Sequence, residues 1–184
     1  MPRLKPLTVD QLAPDLRSVM TDAEKMMGFS PNDGLTMARH PALMKSLSMM
    51  VQALYGSGTV EPELKRLIGN ITSTAGGCHY CQAHTAHGAH SIGVSREKID
   101  AIWTYETSPL FSDRERVALR VAHGAGLSPS AVTDDQFNQL SDFFSEDEIV
   151  EIVGVISLFG FLNRWNATIA TEIESLPLAF ARKR

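Results

Sequence analysis

The sequence predicts an all-α bundle of about seven to nine helices. Three observations point there. Apolar residues recur at three- and four-residue spacing along most of the chain, proline or capping-box starts alternate with glycine stops, and no segment sustains period-two alternation. The chain has 184 residues, 43% of them hydrophobic, plus 13 glycines, which suits one packed core. A single domain over 1–184 is expected. It comprises an N-terminal extension and helix (1–40), a cysteine-bearing half (41–105) and a C-terminal helical half (106–184), with a linker at Thr107-Ser108-Pro109.

Each element follows from local chemistry. The first eight residues are broken by proline and read as extended. Leu12, Leu16, Val19, Met20, Met26 and Met27 fall on one helical face, and Gly28 stops that helix. Ser30-Pro31-Asn32-Asp33-Gly34 reads as a turn. Pro41 and Pro62 each open a helix at its first turn. Their buried stripes are Leu43, Leu47, Met50, Val51 and Leu54, then Leu64, Leu67, Ile68 and Ile71. Gly76-Gly77 interrupts, and a helix should run from about Cys78 to Ser91. Ser95 suits an N-cap. Ser112–Glu115, Thr133–Gln136 and Ser145–Glu148 fit the reciprocal capping box. After the last, one long helix could extend over 149–173, with Gly154 and Gly160 permitting close helix contact.

Composition excludes several classes. Seventeen basic and 21 acidic residues give a net charge of −4, which argues against nucleic-acid binding. Two cysteines cannot build a disulfide scaffold. The N-terminus lacks the apolar run of a signal peptide. The longest apolar stretch, 149–162, is broken by Glu151 and reads as a buried helix rather than a membrane span. The expectation is a cytoplasmic protein with no membrane partner.

Chemistry concentrates at residues 77–90, which hold both cysteines and four of the six histidines. Three readings compete. The first is a dithiol centre: Cys78 and Cys81, three apart on a helix, have Cα atoms about 5 Å apart, within disulfide reach. The helix N-terminus favours a thiolate, and His84 lies one turn after Cys81. The second is a metal site of Cys78, Cys81, His84 and His87. Each three-residue step falls short of a turn by about 60°, so one helix cannot close these four around an ion; a site using two or three of them with an acid from elsewhere stays open. The third is a buried cysteine pair with solvated histidines.

Gly77-Cys78-His79-Tyr80-Cys81, followed by His84-Thr85 and preceded by Ser73-Thr74-Ala75-Gly76, resembles the carboxymuconolactone decarboxylase / alkylhydroperoxidase D (AhpD-like) superfamily. Phe111–Arg116 and the stretch from Phe144 through Asn163-Arg164-Trp165 resemble the C-terminal half of its peroxidase-related, two-part members. The resemblance implies an all-α fold, assembly into a homo-oligomer (dimer, trimer or hexamer), and hydroperoxide reduction through a CxxC dithiol with no cofactor. It implies Cys81 as the peroxide-reactive thiol, Cys78 as the resolving one, and a histidine working with an upstream glutamate. This chain departs from the pattern twice. Thr85 stands where the histidine is usual, leaving His84 about 100° round the helix. Arg66 stands where the glutamate is usual, so Glu63, one turn earlier, becomes the candidate acid.

The expected partners are therefore a hydroperoxide and an unidentified dithiol reductant. Two alternatives remain: a cofactor-free decarboxylase or lactone-type enzyme of the same superfamily, and a non-enzymatic dithiol redox sensor. His87 and His90 could extend a proton path, Tyr80 could line the pocket, and Met37, Met44, Met49 and Met50 could line an apolar channel; packing is the simpler reading for each. His40, His123 and Asn163-Arg164 read as structural.

Overall fold

The computed structural model describes residues 1–182. Among them are ten α-helices and no strand. They are α1 (Pro14–Met27), α2 (Asn32–Met37), α3 (Pro41–Tyr55), α4 (Pro62–Ala75), α5 (His79–Ser91), α6 (Arg96–Asp100), α7 (Asp113–Gly126), α8 (Asp134–Ser141), α9 (Glu146–Ile169) and α10 (Ser175–Arg182). Single 3-10 turns lie at Val9–Gln11 and Ile102–Thr104. Eight helices are of eight residues or longer; Ser95 marks the short α6, whereas α2 and α10 are additions to the sequence reading.

The caps fall where the sequence puts them. Ser112, Thr133 and Ser145 each accept a hydrogen bond from the backbone N–H three residues on, and Glu115, Gln136 and Glu148 complete the three boxes. Ser95 caps α6 through the N–H of Lys98. His40 is an N-cap too, its Nδ1 accepting from the Leu43 N–H at 3.2 Å, which gives this histidine its structural role.

Two expectations are corrected. The stretch 30–34, read as a turn, contains the start of α2, with Asp33 and Gly34 inside the helix. Gly34 is buried there because the Met20 and Met44 methyls press on it. The last long helix ends at Ile169 rather than 173. Ala170 takes a left-handed conformation (φ 52°) and its N–H closes on the Asn166 carbonyl. That reversal sends residues 171–174 back across the bundle and carries Glu174 to the site described below.

Helix α4 is the central element and packs against α5, α7 and α9. Its buried face, Leu64, Leu67, Ile68 and Ile71, meets Val117, Leu119 and Val121 of α7 and Ile152, Val155 and Phe159 of α9 in the main core. A smaller core joins α1, α2 and α3 through Leu16, Met20, Leu35, Met37 and Met44. Gly154 lets α9 approach Leu54 of α3, whereas Gly160 faces open space. At 24 residues, α9 is the one described helix long and apolar enough, by length and composition alone, to cross a membrane. Here it packs along α3, α4, α5 and α7.

The Glu151 that breaks this apolar run has a structural use. Its carboxylate accepts from the Thr59 and Val60 N–H groups at 2.8 and 3.2 Å and pairs with Lys65 at 2.8 Å. Lys65 is buried and also donates to the Leu54 and Ser57 carbonyls. Burial draws the Glu151 carboxyl upward, but Lys65 and the two N–H groups outweigh it and hold it below its ordinary value. Breaking a buried pair leaves an uncompensated charge. Glu151→Ala should therefore cost about 3 kcal/mol, measured as a lower urea midpoint. The Lys65→Met/Glu151→Leu pair, which removes both charges, should recover most of that loss.

Candidate active site

The site begins where α4 ends. Gly77, with φ +67°, turns the chain, and the Cys78 N–H bonds back to the Ser73 carbonyl at 3.0 Å. Cys78 thereby becomes the N-cap of α5, one residue before the helix proper, and Cys81 sits in its first turn. Both thiols are free and buried, 3% and 2% exposed. Cys81 lines a cavity of about 530 Å³ between the two cores; Cys78 lies behind it.

Around Cys81 the neighbours come from distant parts of the chain. Asn166 of α9 donates from Nδ2 to the Cys81 sulfur at 3.4 Å, and the same nitrogen lies 3.3 Å from the Asp33 carboxylate of α2. Thr85, where the resembled family would carry histidine, is fully built into the packing. Its hydroxyl donates to the Cys81 carbonyl at 2.7 Å and accepts from Asn70 of α4 at 2.9 Å. It pins α5 to α4, and although it lines the cavity its hydroxyl is spent on these bonds.

The acid–base group is completed from the C-terminus. His84 Nε2 donates to the Glu174 carboxylate at 2.5 Å, the Tyr80 hydroxyl donates to it at 2.9 Å, and the Asn32 N–H does so as well. The Tyr80 and His84 rings stack at 4.0 Å between centroids. Burial draws Glu174 upward, but the bond and charge of His84 and the Asn32 N–H outweigh it, so the carboxyl stays below its ordinary value. Burial and the charges of Asp33 and Glu174 push the Tyr80 phenol well up, so it remains a donor. Among the described residues, the other ring nitrogen of His84 has no protein partner. Because His84 lines the cavity, that nitrogen can serve a ligand.

This arrangement corrects the sequence reading of Glu63. That residue is exposed in the first turn of α4, outside the cavity wall, and helps the helix terminus instead. Glu174 holds the histidine, from ninety residues downstream of it. His84 also makes no hydrogen bond to Cys81 among the described residues; the partners of that sulfur are Asn166 and Cys78. His87 and His90 pack against Phe180 of α10 and so help to dock the helix that follows Glu174. Of the methionines singled out, Met44 lines the cavity, Met37 is buried in the small core, and Met49 and Met50 are exposed. Among the described residues, no three His, Cys, Asp or Glu side chains are placed to share a metal ion.

Glu174, Asn166 and Asp33 are the site residues that sequence reasoning missed. Asn166 carried a usable signal, since it repeats the buried face of Phe159 and Asn163 on α9. Asp33 was absorbed into a turn reading, and nothing local marks Glu174.

The two thiols are electrostatically opposed. The Cys81 thiol, as hydrogen-bond donor, holds Cys78 down at about 7; burial opposes this, and the N–H groups of Cys81 and Tyr80 add to it. Cys81 is pushed well above its ordinary value, first by Cys78, then by burial and the charge of Asp33, with Asn166 opposing. Ionisation of the pair therefore places the charge on Cys78 and leaves the proton on Cys81, which donates to it. The more acidic thiol is the hidden one, and the cavity-facing thiol holds the proton.

The helical architecture and the CxxC at the N-terminus of α5 define a known class. Residues 41–124 match the Carboxymuconolactone decarboxylase family. The chain belongs to the carboxymuconolactone decarboxylase family, whose members include enzymes. The debrominase Bmp8 is similar over nearly its whole length. Its apo structure is 35% identical, covering 97% of this chain and 96% of that one, with a TM-score of 0.91. The structure of a cysteine-to-alanine variant with 2,3,4-tribromopyrrole gives 34% identity, coverage of 97% and 95%, and a TM-score of 0.92. A peroxidase-related protein from a Silicibacter species shares the fold at 18% identity (95% and 92% covered, TM-score 0.83). The protein YnjA of Escherichia coli is 27% identical over 139 residues, 75% of this chain and 76% of its own.

The opposed thiols give a pH signature. Cys78 is depressed in the folded state, so its contribution to stability is present above its unfolded value and is lost as pH falls through about 7. Thiolate absorbance near 240 nm should show one thiol titrating near pH 7 and the second remaining protonated past pH 9. In Cys81→Ala, which removes the largest cause, the Cys78 midpoint should rise.

Proposed function

We propose that the protein is a dithiol oxidoreductase in which Cys81 takes an electrophilic atom from a small apolar organic substrate and Cys78 then closes a disulfide. The observation that carries this reading is the placement of Cys81 alone in the wall of a cavity of about 530 Å³, with Cys78 one turn behind and the His84–Glu174 pair beside it. The wall is largely apolar, including Val19, Met27, Leu47, Val51 and Leu162, and the volume exceeds what hydrogen peroxide needs.

For an organic hydroperoxide, Cys81 transfers its proton to the Cys78 thiolate and attacks the terminal oxygen. The O–O bond breaks, the alcohol leaves with a proton supplied from His84, and Cys81 becomes a sulfenic acid. Cys78 then attacks that sulfur, and the hydroxyl leaves as water with the proton that Cys78 received. Two electrons leave the thiols, and an external dithiol restores them.

A second reading has specific support in the similarity to the debrominase over nearly the whole chain. A halogen on an electron-rich ring can replace the peroxide oxygen. The ring carbon accepts a proton from His84, Cys81 removes the halogen as a sulfenyl halide, and Cys78 expels halide as the disulfide forms. The electron balance is the same, two per turnover from the thiols. In both reactions Glu174 stabilises the protonated imidazole before it gives up its proton.

Cumene hydroperoxide and 2,3,4-tribromopyrrole, each offered with dithiothreitol, test the readings side by side. One substrate at least should be consumed with formation of an intramolecular Cys78–Cys81 disulfide, and bromide release stoichiometric with disulfide would select the second. Cys81→Ser and Cys78→Ser should each abolish turnover; wild-type rates in both would sink the mechanism. Glu174→Gln, which keeps an acceptor for Tyr80 and Asn32, should lower kcat about 100-fold. An unchanged kcat would remove the pair from proton transfer.

A further inference from the structure

Arg66 is the charged group in the cavity wall that the proposed chemistry leaves unused. It lies on α4 and lines the same cavity as Cys81, His84 and Thr85. Its guanidinium stands 4.3 Å from the centroid of the Tyr55 ring on α3. On its other side it passes Gly88 of α5, where an added Cβ would meet Nη1 at 3.4 Å. Three helices thus fix the plane of the guanidinium: Tyr55 supports one face, and the missing side chain at 88 leaves room for the group.

Among the described residues no acceptor or carboxylate pairs with it. Asp22, also on the cavity rim, is paired with Lys25 and exposed. Asp33 is engaged by Asn166 and by the Gly34 N–H. Tyr55 is no counter-ion, since its hydroxyl donates to the Lys65 carbonyl and burial pushes it up to about 12, against the opposing charge of Arg66. The half-buried guanidinium presents its unspent donors to the cavity, where an anion can meet them. A planar carboxylate meets it best, through two parallel hydrogen bonds.

We propose that Arg66 is a specificity-determining residue and that the substrate is a small organic acid: its carboxylate is held by Arg66 and its reducible end is turned to Cys81. The inference rests on the dithiol reading for the identity of that reducible end. The dimensions agree. Gly88, beside the guanidinium, and Cys81 are seven residues apart on α5, two turns along one face and about 10 Å on the axis. A ring that carries a carboxylate at one end and a reducible group at the other spans a separation of that order. This position is also where the resembled family would carry a glutamate; with Glu174 supplying the carboxylate for His84, residue 66 is free to bear the opposite charge.

The test separates binding from chemistry by using Cys81→Ala, which cannot turn over. Calorimetry compares 4-bromobenzoate with 4-bromobenzamide, which match in ring and halogen and differ in charge. The acid should bind at least tenfold tighter than the amide. Arg66→Gln should erase that preference, and Arg66→Lys should keep part of it, both with wild-type circular dichroism. Equal affinity for acid and amide, no binding of the acid at millimolar concentration, or a preference that survives Arg66→Gln would each overturn the proposal. If the acid preference follows Arg66 while wild-type protein consumes neither hydroperoxide nor haloarene, the dithiol reading fails and the anion subsite stands.

Discussion

The carboxylate of Glu174 ties together parts of the chain that no local rule would bring near one another. It accepts from the backbone at the start of α2, from Tyr80 and from His84, and it sits between the end of α9 and the start of α10. Its placement depends on the left-handed Ala170, without which α9 would carry the chain onward. It depends equally on α10, which packs on α5 through Phe180 against His87 and His90. The histidines that give 77–90 its unusual composition therefore divide into two uses. His84 meets the carboxylate, and the next two hold the helix that follows it.

A buried anion in this position constrains the electrostatics of everything near it. With Asp33 it makes the cavity end at Tyr80 a place where further negative charge is costly, and both groups push the Tyr80 phenol upward. The thiols answer that field differently. Cys78, at the helix N-terminus, is compensated by backbone N–H groups and by the Cys81 thiol, and it takes the charge. Cys81 meets the Cys78 charge, burial and Asp33 together and keeps its proton. Asn166 is the one polar side chain that works the other way, offering Cys81 a donor from α9.

The fold was legible because its signals are local. Proline starts at 41 and 62, three capping boxes and the Gly76-Gly77 break each act over one turn, and each lies where the spacing puts it. Half of the site was legible for the same reason: Cys78, Cys81 and His84 share one helix. The other half was not. Glu174 reaches His84 across ninety residues, and Asn166 and Asp33 reach Cys81 from α9 and α2, contacts fixed by helix packing that leaves no periodic trace. Glu63 attracted attention by sequence distance alone, and a first-turn acid on an exposed face satisfies a helix terminus without facing any site. Asp33 was hidden by the turn chemistry around it, because Ser-Pro-Asn-Asp-Gly serves equally as the entry to a short helix when Gly34 must lie against Met20 and Met44.

In the dithiol cycle proposed above, the inverted charge on the thiols also bears on selectivity. A cavity-facing thiolate would react with any small oxidant that diffuses in. A protonated Cys81 is a poor nucleophile until its proton moves to Cys78, and that transfer is favoured when the sulfur is already forming a bond. Reactivity is then coupled to a substrate that fills the cavity well enough to bring its electrophilic atom to the sulfur. Burial works in the same direction, since each thiol is nearly inaccessible and the cavity is the route to Cys81. Once Cys81 has been oxidised it no longer donates to Cys78, and the hydrogen bond that stabilised the Cys78 thiolate is gone. Cys78, now the more basic and more nucleophilic sulfur, keeps the proton it received until that proton leaves with the hydroxyl as water, and it stands at the helix N-terminus next to the sulfur it must attack. The same contact that restrains the pair at rest thus releases it after the first step, and it does so within one turn of one helix.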